Sequence, residues 1–331
     1  MKSIFTRKTL WALSFVLVLT ASPTLVKGQY TTEEYAAYQA AVEAEPAQRP
    51  DDIVRFIEEN PESMLVEYAI SSYLQLMQEY QNAGSAQQVV ELGEKLLTIA
   101  PNDLNALYMT SIAAYQTQQF DKATSHGEKV YAEAPDTAGL AFVLASSFSR
   151  LGQDEKLIEY GEIAVKELAP ADSYQLTSTL ATAYAAKKDW ENAARHADNT
   201  LKGLAAATRP ASTPEVEWTK YVAEEKAAAH ALLGRRAAES KDWSSTVKHY
   251  GDVLVLAEEP AFVAEAHYFI GMARWDERAM EPAMEAFAKG SVQEGSAHAE
   301  ACRQYLETLY KSTHNDSLAG LDEYVTRVTR N

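Results

Sequence analysis

Apolar residues recur along this chain at three- and four-residue intervals over helix-length stretches, and the polar breaks between those stretches come at a fixed spacing. Gly93, Gly127 and Gly161 stand 34 residues apart, each followed by Glu, in the words ELGEKLL, SHGEKVY and EYGEIAV. Pro101, Pro135 and Pro170 follow one another at 34 and 35 residues. Between these marks lies a second recurring word, a short polar turn and then an aromatic: QTQQFDKA at 116–123, AKKDWENA at 186–193 and SKDWSSTV at 240–247. Asp121, Asp189 and Asp242 suit that turn, because a short carboxylate can accept the free backbone donors of a helix start. Each period therefore predicts two helices joined by a turn. A pair of this length cannot bury its apolar face alone, so neighbouring pairs must stack.

The pattern resembles the tetratricopeptide repeat family, whose units are 34-residue helix pairs. Tyr73, Leu76, Met77, Tyr80, Val89, Gly93, Leu96 and Pro101 fill the family's positions in one unit. Leu107, Ser111, Ala123, Val130 and Pro135 fill them in the next, and later units carry Ala145, Phe148 and Leu157, then Leu180, Ala181, Tyr184, Trp190 and Ala193. Gly234, Trp243 and Val253 mark a fifth unit, and Gly271, Ala283 and Phe287 a sixth. Ser111, Ala145, Ala181, Gly234 and Gly271 fall where two helices of one pair must approach closely. The resemblance covers about residues 63–295 and implies an all-α fold, a right-handed superhelical solenoid of antiparallel helix pairs.

Departures from the period divide the chain further. Residues 29–62 read as a degenerate, acidic helix pair, and repeats run over 63–202. Trp190 and Trp243 are 53 residues apart, so an insertion is needed; the stretch KGLAAATRPASTP at 202–214 supplies it, with the loop placed at 203–214. Repeats resume over 215–295 with one long first helix, Glu215 to Glu239, and 296–331 supplies capping helices.

The first 28 residues read differently. Lys2, Arg7 and Lys8 precede an apolar run from Leu10 to Leu19, which is too short for a membrane span. Pro23 follows, and Val26-Lys27-Gly28 places small residues before Gln29. This order predicts a signal peptide cleaved between Gly28 and Gln29, and hence an exported, periplasmic or secreted, soluble protein. No cysteine stands near the cut, so a lipid anchor there is not expected. The chain carries −17, and losing four cations with the leader leaves −21 on the remaining 303 residues. That balance disfavours nucleic acid and favours a partner with a basic surface. The one cysteine, Cys302, rules out a disulfide framework.

Chemistry-bearing motifs are sparse. His126, His196 and His249 occupy one place in successive second helices, but stacked helices lie roughly 10 Å apart, too far for shared ligation. His298 and Cys302 are four apart and lack a third ligand, and Cys302 lacks a recognisable base. No enzyme activity, cofactor or metal is expected. The resemblance instead implies binding of a partner protein or peptide in a groove lined by first helices. Tyr108, Ile112 and Tyr115, with Phe142 one repeat later, form an apolar stripe on that side, and Tyr268, Met272 and Trp275 form another. These rings either pack on adjacent helices as core or offer anchors to a partner. The family's carboxylate clamp of Lys, Arg and Asn has no match, since Ser71, Leu74, Gln75 and Gln78, then Asn105, Tyr108, Met109 and Ile112, stand at its positions. The alternative is an envelope accessory protein binding glycan, peptidoglycan or another solute, its tyrosines stacking on sugars.

Overall fold

The computed structural model describes residues 30–135 and 138–330. The expected signal peptide, with its junction between Gly28 and Gln29, lies outside the described residues. Those residues form sixteen α-helices and no strand, grouped in two compact units that meet in sequence at Glu167 and Leu168.

The first unit holds α1 (Thr32–Val42), α2 (Arg49–Glu59), α3 (Val66–Asn82), α4 (Ala86–Ile99), α5 (Leu104–Gln116), α6 (Phe120–Glu133), α7 (Ala138–Arg150) and α8 (Asp154–Glu167). They pair as four hairpins, each packed on the next. Ile53, Leu65, Tyr73, Met77, Leu96, Leu107, Leu140, Leu144 and Leu157 are sealed from solvent between them. The repeated Gly-Glu word has a double role here. A Cβ on Gly127 would lie 2.8 Å from Ser111 Oγ and 2.9 Å from Leu144 Cδ2, so glycine lets α6 settle both on α5 of its own hairpin and on α7, the first helix of the next. The following glutamates then reach forward: Glu94 binds Lys122 (3.3 Å) and His126 (3.1 Å), and Glu128 binds Lys156 (3.2 Å) and accepts from Tyr160 Oη (3.2 Å).

The second unit holds α9 (Pro170–Ala186), α10 (Trp190–Ala206), α11 (Glu215–Glu239), α12 (Trp243–Leu256), α13 (Pro260–Asp276), α14 (Met280–Ser291), α15 (Ala297–Thr313) and α16 (Leu321–Thr329). Here two glycines, Gly234 and Gly271, lie in first helices and face aromatic rings of second helices. A Cβ on Gly234 would sit 2.8 Å from the Tyr250 ring, and one on Gly271 2.6 Å from the Phe287 ring. Phe287, Cys302, Leu306, Leu309, Tyr310, Leu321, Tyr324 and Val325 form a core that α15 and α16 close. The long helix α11 coincides with the sequence expectation. The insertion is shorter than expected, because α10 continues to Ala206 through an Ala-rich stretch that meets its first proline only at Pro210.

Six turns are built alike. Gly84, Gln118, Gly152, Lys188, Lys241 and Arg278 all have positive φ, between 58° and 75°, two residues before a second helix begins. The next residue's N–H then donates to the carbonyl five residues back, as in Ser85 to Tyr80, Gln119 to Ala114 and Asp242 to Ala237, which satisfies an orphan acceptor at the first helix's end. Asp189 and Asp242 cap the following helices through Asn192 N and Ser245 N, both at 3.1 Å. Asp121 does not cap: Gln119 occupies that position, and Asp121 lies inside the first turn of α6.

Candidate binding surfaces

The two apolar stripes fare differently. In the first unit, Ile112 and Phe142 are 7% and 8% exposed, so both are core residues. Tyr115 packs its ring at 6.4 Å on Phe142 and 6.2 Å on Phe120, and Tyr108 is half-buried against the same cluster. Burial raises the phenol pKa of both tyrosines. What reaches the surface of this stripe is the half-exposed part of Tyr108 and Tyr115.

In the second unit, Tyr268, Met272 and Trp275 are all half-buried on one face of α13. Tyr305 of α15, which sequence reasoning did not single out, joins them: its ring lies 5.8 Å from Tyr268, 5.4 Å from Trp275 and 5.4 Å from Phe287. His298 sits 5.3 Å from the Tyr268 ring. Neighbouring first helices thus present one continuous aromatic surface with a buried floor of Phe269 and Phe287. A second cluster also escaped the sequence reading. Tyr221 lies 5.7 Å from Trp218 and 6.4 Å from Tyr174, where the extra turns of α11 lean on α9, and Ser178 donates to Glu225 at 2.7 Å. Its signal was the Trp-x-x-Tyr spacing near the start of the over-long helix.

The polar candidates separate. His126 binds Glu94, and His196 is buried with its ring stacked 5.5 Å from Tyr184. His249 of α12 meets His230 of α11, Nδ1 to Nδ1 at 3.2 Å, and His230 Nδ1 lies 3.6 Å from Asp252 Oδ2. The expectation had grouped His249 with its counterparts in other repeats, whereas its neighbour comes from its own hairpin. Cys302 is sealed in the core beside Gly290, and burial pushes its thiol up to about 12, so it is no nucleophile near neutral pH. Among the described residues no helix is long and apolar enough to cross a membrane.

No protein-family profile matches the chain, and no curated protein does. Solved structures do. PilF of Pseudomonas aeruginosa is 13% identical over 71% of this chain and 96% of its own, with a TM-score of 0.40. A tetratricopeptide repeat protein of Parabacteroides merdae is 10% identical over 83% and 96%, at 0.36. BtubC of P. vanneervenii is 15% identical over 70% and 90%, also at 0.36. Identities and TM-scores are low throughout, so the fold assignment rests on this chain's own helix pairing. By period and by the close approaches at Gly127 in the first unit and at Gly234 and Gly271 in the second, each unit is a tetratricopeptide-like, all-α stack of helical hairpins.

Proposed function

We propose that this chain is an exported, non-catalytic scaffold that holds a partner protein or peptide on the first helices of its hairpins. The observation that carries the reading is the Tyr268–Met272–Trp275 face with Tyr305: large aromatic residues, half-exposed, held rigid over a packed floor. Such residues anchor interfaces because they bury much area while losing little side-chain freedom. Tyr108 and Tyr115 offer a smaller contact in the other unit, with Ile112 and Phe142 supporting them from below. The strongly acidic balance supports a partner with a basic surface, since its field speeds the encounter, while the aromatic face sets the lifetime. The Lys2-to-Gly28 pattern supports export to the periplasm, with Gln29 as the first mature residue.

The test has two parts. N-terminal sequencing of the exported protein should begin at Gln29, and a retained Met1 would overturn the export reading. A pull-down from periplasmic extract should yield a stoichiometric protein partner, whose association slows at high salt and whose dissociation quickens with Trp275→Ala. Retention of glycan without a protein band would overturn the scaffold reading, as would a partner indifferent to Trp275.

A further inference from the structure

The hairpin that follows the insertion brings three potential ligand side chains together. His249 and Asp252 lie three residues apart on α12 and so share one face of that helix. His230 reaches them from α11. Each offers one ligand atom, and all three atoms fall within 4.8 Å of one another.

We propose that His230, His249 and Asp252 form a binding site for a divalent transition-metal ion of the zinc class. The distances fit. With metal–ligand bonds of about 2.1 Å, ligand atoms stand about 3.0 Å apart in octahedral and about 3.4 Å apart in tetrahedral geometry. The observed separations are 3.2 Å between the imidazole nitrogens and 3.6 Å from His230 to the carboxylate. Two imidazoles and one carboxylate suit zinc, cobalt, nickel or copper better than calcium or magnesium, which prefer oxygen. Three protein ligands leave at least one coordination position for water.

The protonation state suits the ion as well. Burial lowers the pKa of both histidines; His249 is lowered further by His230 and Lys248, and His230 by Lys248 and Lys226, with Asp252 opposing in both cases and Asp242 also opposing at His249. Neutral imidazoles are the ligating form. In the present arrangement one Nδ1 must carry the proton it shares with the other. An ion between them moves that proton to Nε2, so both rings become Nε2–H tautomers with Nδ1 on the metal. The site is open, with the His230 side chain 18% and the Asp252 side chain 44% exposed, so an ion can enter without unfolding. Once bound, it would pin α11 to α12 and fix the long helix in its register.

The experiment uses the full, untagged chain after chelator treatment. Zn2+ is titrated calorimetrically, and Co2+ by its visible ligand-field absorption. One equivalent should bind, with a tetrahedral cobalt spectrum and a rise in melting temperature. His249→Gln and Asp252→Asn should each weaken binding at least about ten-fold, since even losing a residue that only supports a ligand costs that much. Both variants should keep the circular dichroism and metal-free melting temperature of the parent. His126→Gln, on another hairpin, should bind as the parent does. A chain that binds no Zn2+ or Co2+, or one whose affinity survives both substitutions at 249 and 252, overturns the site.

Discussion

Gly271→Ala tests the close approach on which the second unit's packing rests. The added Cβ would lie 2.6, 2.7 and 2.8 Å from three carbons of the Phe287 ring, where ordinary carbon contacts are about 3.5–4.0 Å. About 1 Å of movement is therefore needed. Phe287 cannot supply it: the ring is fully buried, stacked 5.4 Å from Tyr305 and flanked 6.4 Å away by Tyr268. The helices must separate instead, at a cost of about 1–3 kcal/mol for overpacking. Against this, alanine in a helix gains about 1 kcal/mol over glycine. Gly251 on α12 provides the internal control, since a Cβ there meets nothing within 4 Å. Gly251→Ala should thus raise stability by about 0.5–1 kcal/mol, and Gly271→Ala should leave it unchanged or lower it by up to about 2 kcal/mol. Urea titration followed by far-UV circular dichroism measures both. Equal midpoints for the two variants would refute the packing argument, because the change in helix propensity is the same in each.

Two further outcomes follow from the geometry. At Lys241, where φ is 58°, a left-handed backbone costs a non-glycine residue about 1–2 kcal/mol, partly offset by the freedom glycine adds to the unfolded chain; Lys241→Gly should stabilise by about 0.5–1 kcal/mol in the same titration, and no gain would mean the turn is strain-free. His267 is held, chiefly by burial and then by Lys289, from 6.5 down to about 4, so the unfolded chain takes up a proton that the folded chain refuses. Its contribution is complete above pH 6.5 and is lost as pH falls toward 4; His267→Gln should flatten the urea midpoint against pH within that window, and an unchanged slope would refute the assignment.

The period, the glycines and the over-long helix were legible because each leaves a mark within one stretch of chain. Gly234 and Gly271 could be read as close approaches from their place in the repeat alone, and the helix from Glu215 to Glu239 from its length without a breaker. The turns were not legible in the same way. Four of the six left-handed positions carry Gln118, Lys188, Lys241 or Arg278, long polar side chains that look like any exposed loop, and the hydrogen bonds beneath them are made by backbone alone. Asp121 misled because the aromatic residue, not the acid, marks the helix start. Pairing His230 with His249 required knowing which face of a 25-residue helix meets its partner, and a wide spread of apolar residues leaves that choice open. Tyr305 joined Tyr268 and Trp275 for a similar reason: it lies in the closing helices, where the repeat's spacing no longer assigns positions.

The forward-reaching glutamates have a consequence for how such a chain can change in length. Glu94 meets residues 28 and 32 positions ahead, Lys122 and His126, and Glu128 meets Lys156 and Tyr160 at the same two offsets. Excising one 34-residue period between them would deliver Lys156 and Tyr160 to Glu94 in the places of Lys122 and His126. Duplicating one would repeat the same junction. The contacts therefore act as an interchangeable coupling within this run, and a whole hairpin can be gained or lost there while Glu94 still finds a cation and a hydrogen-bonding ring.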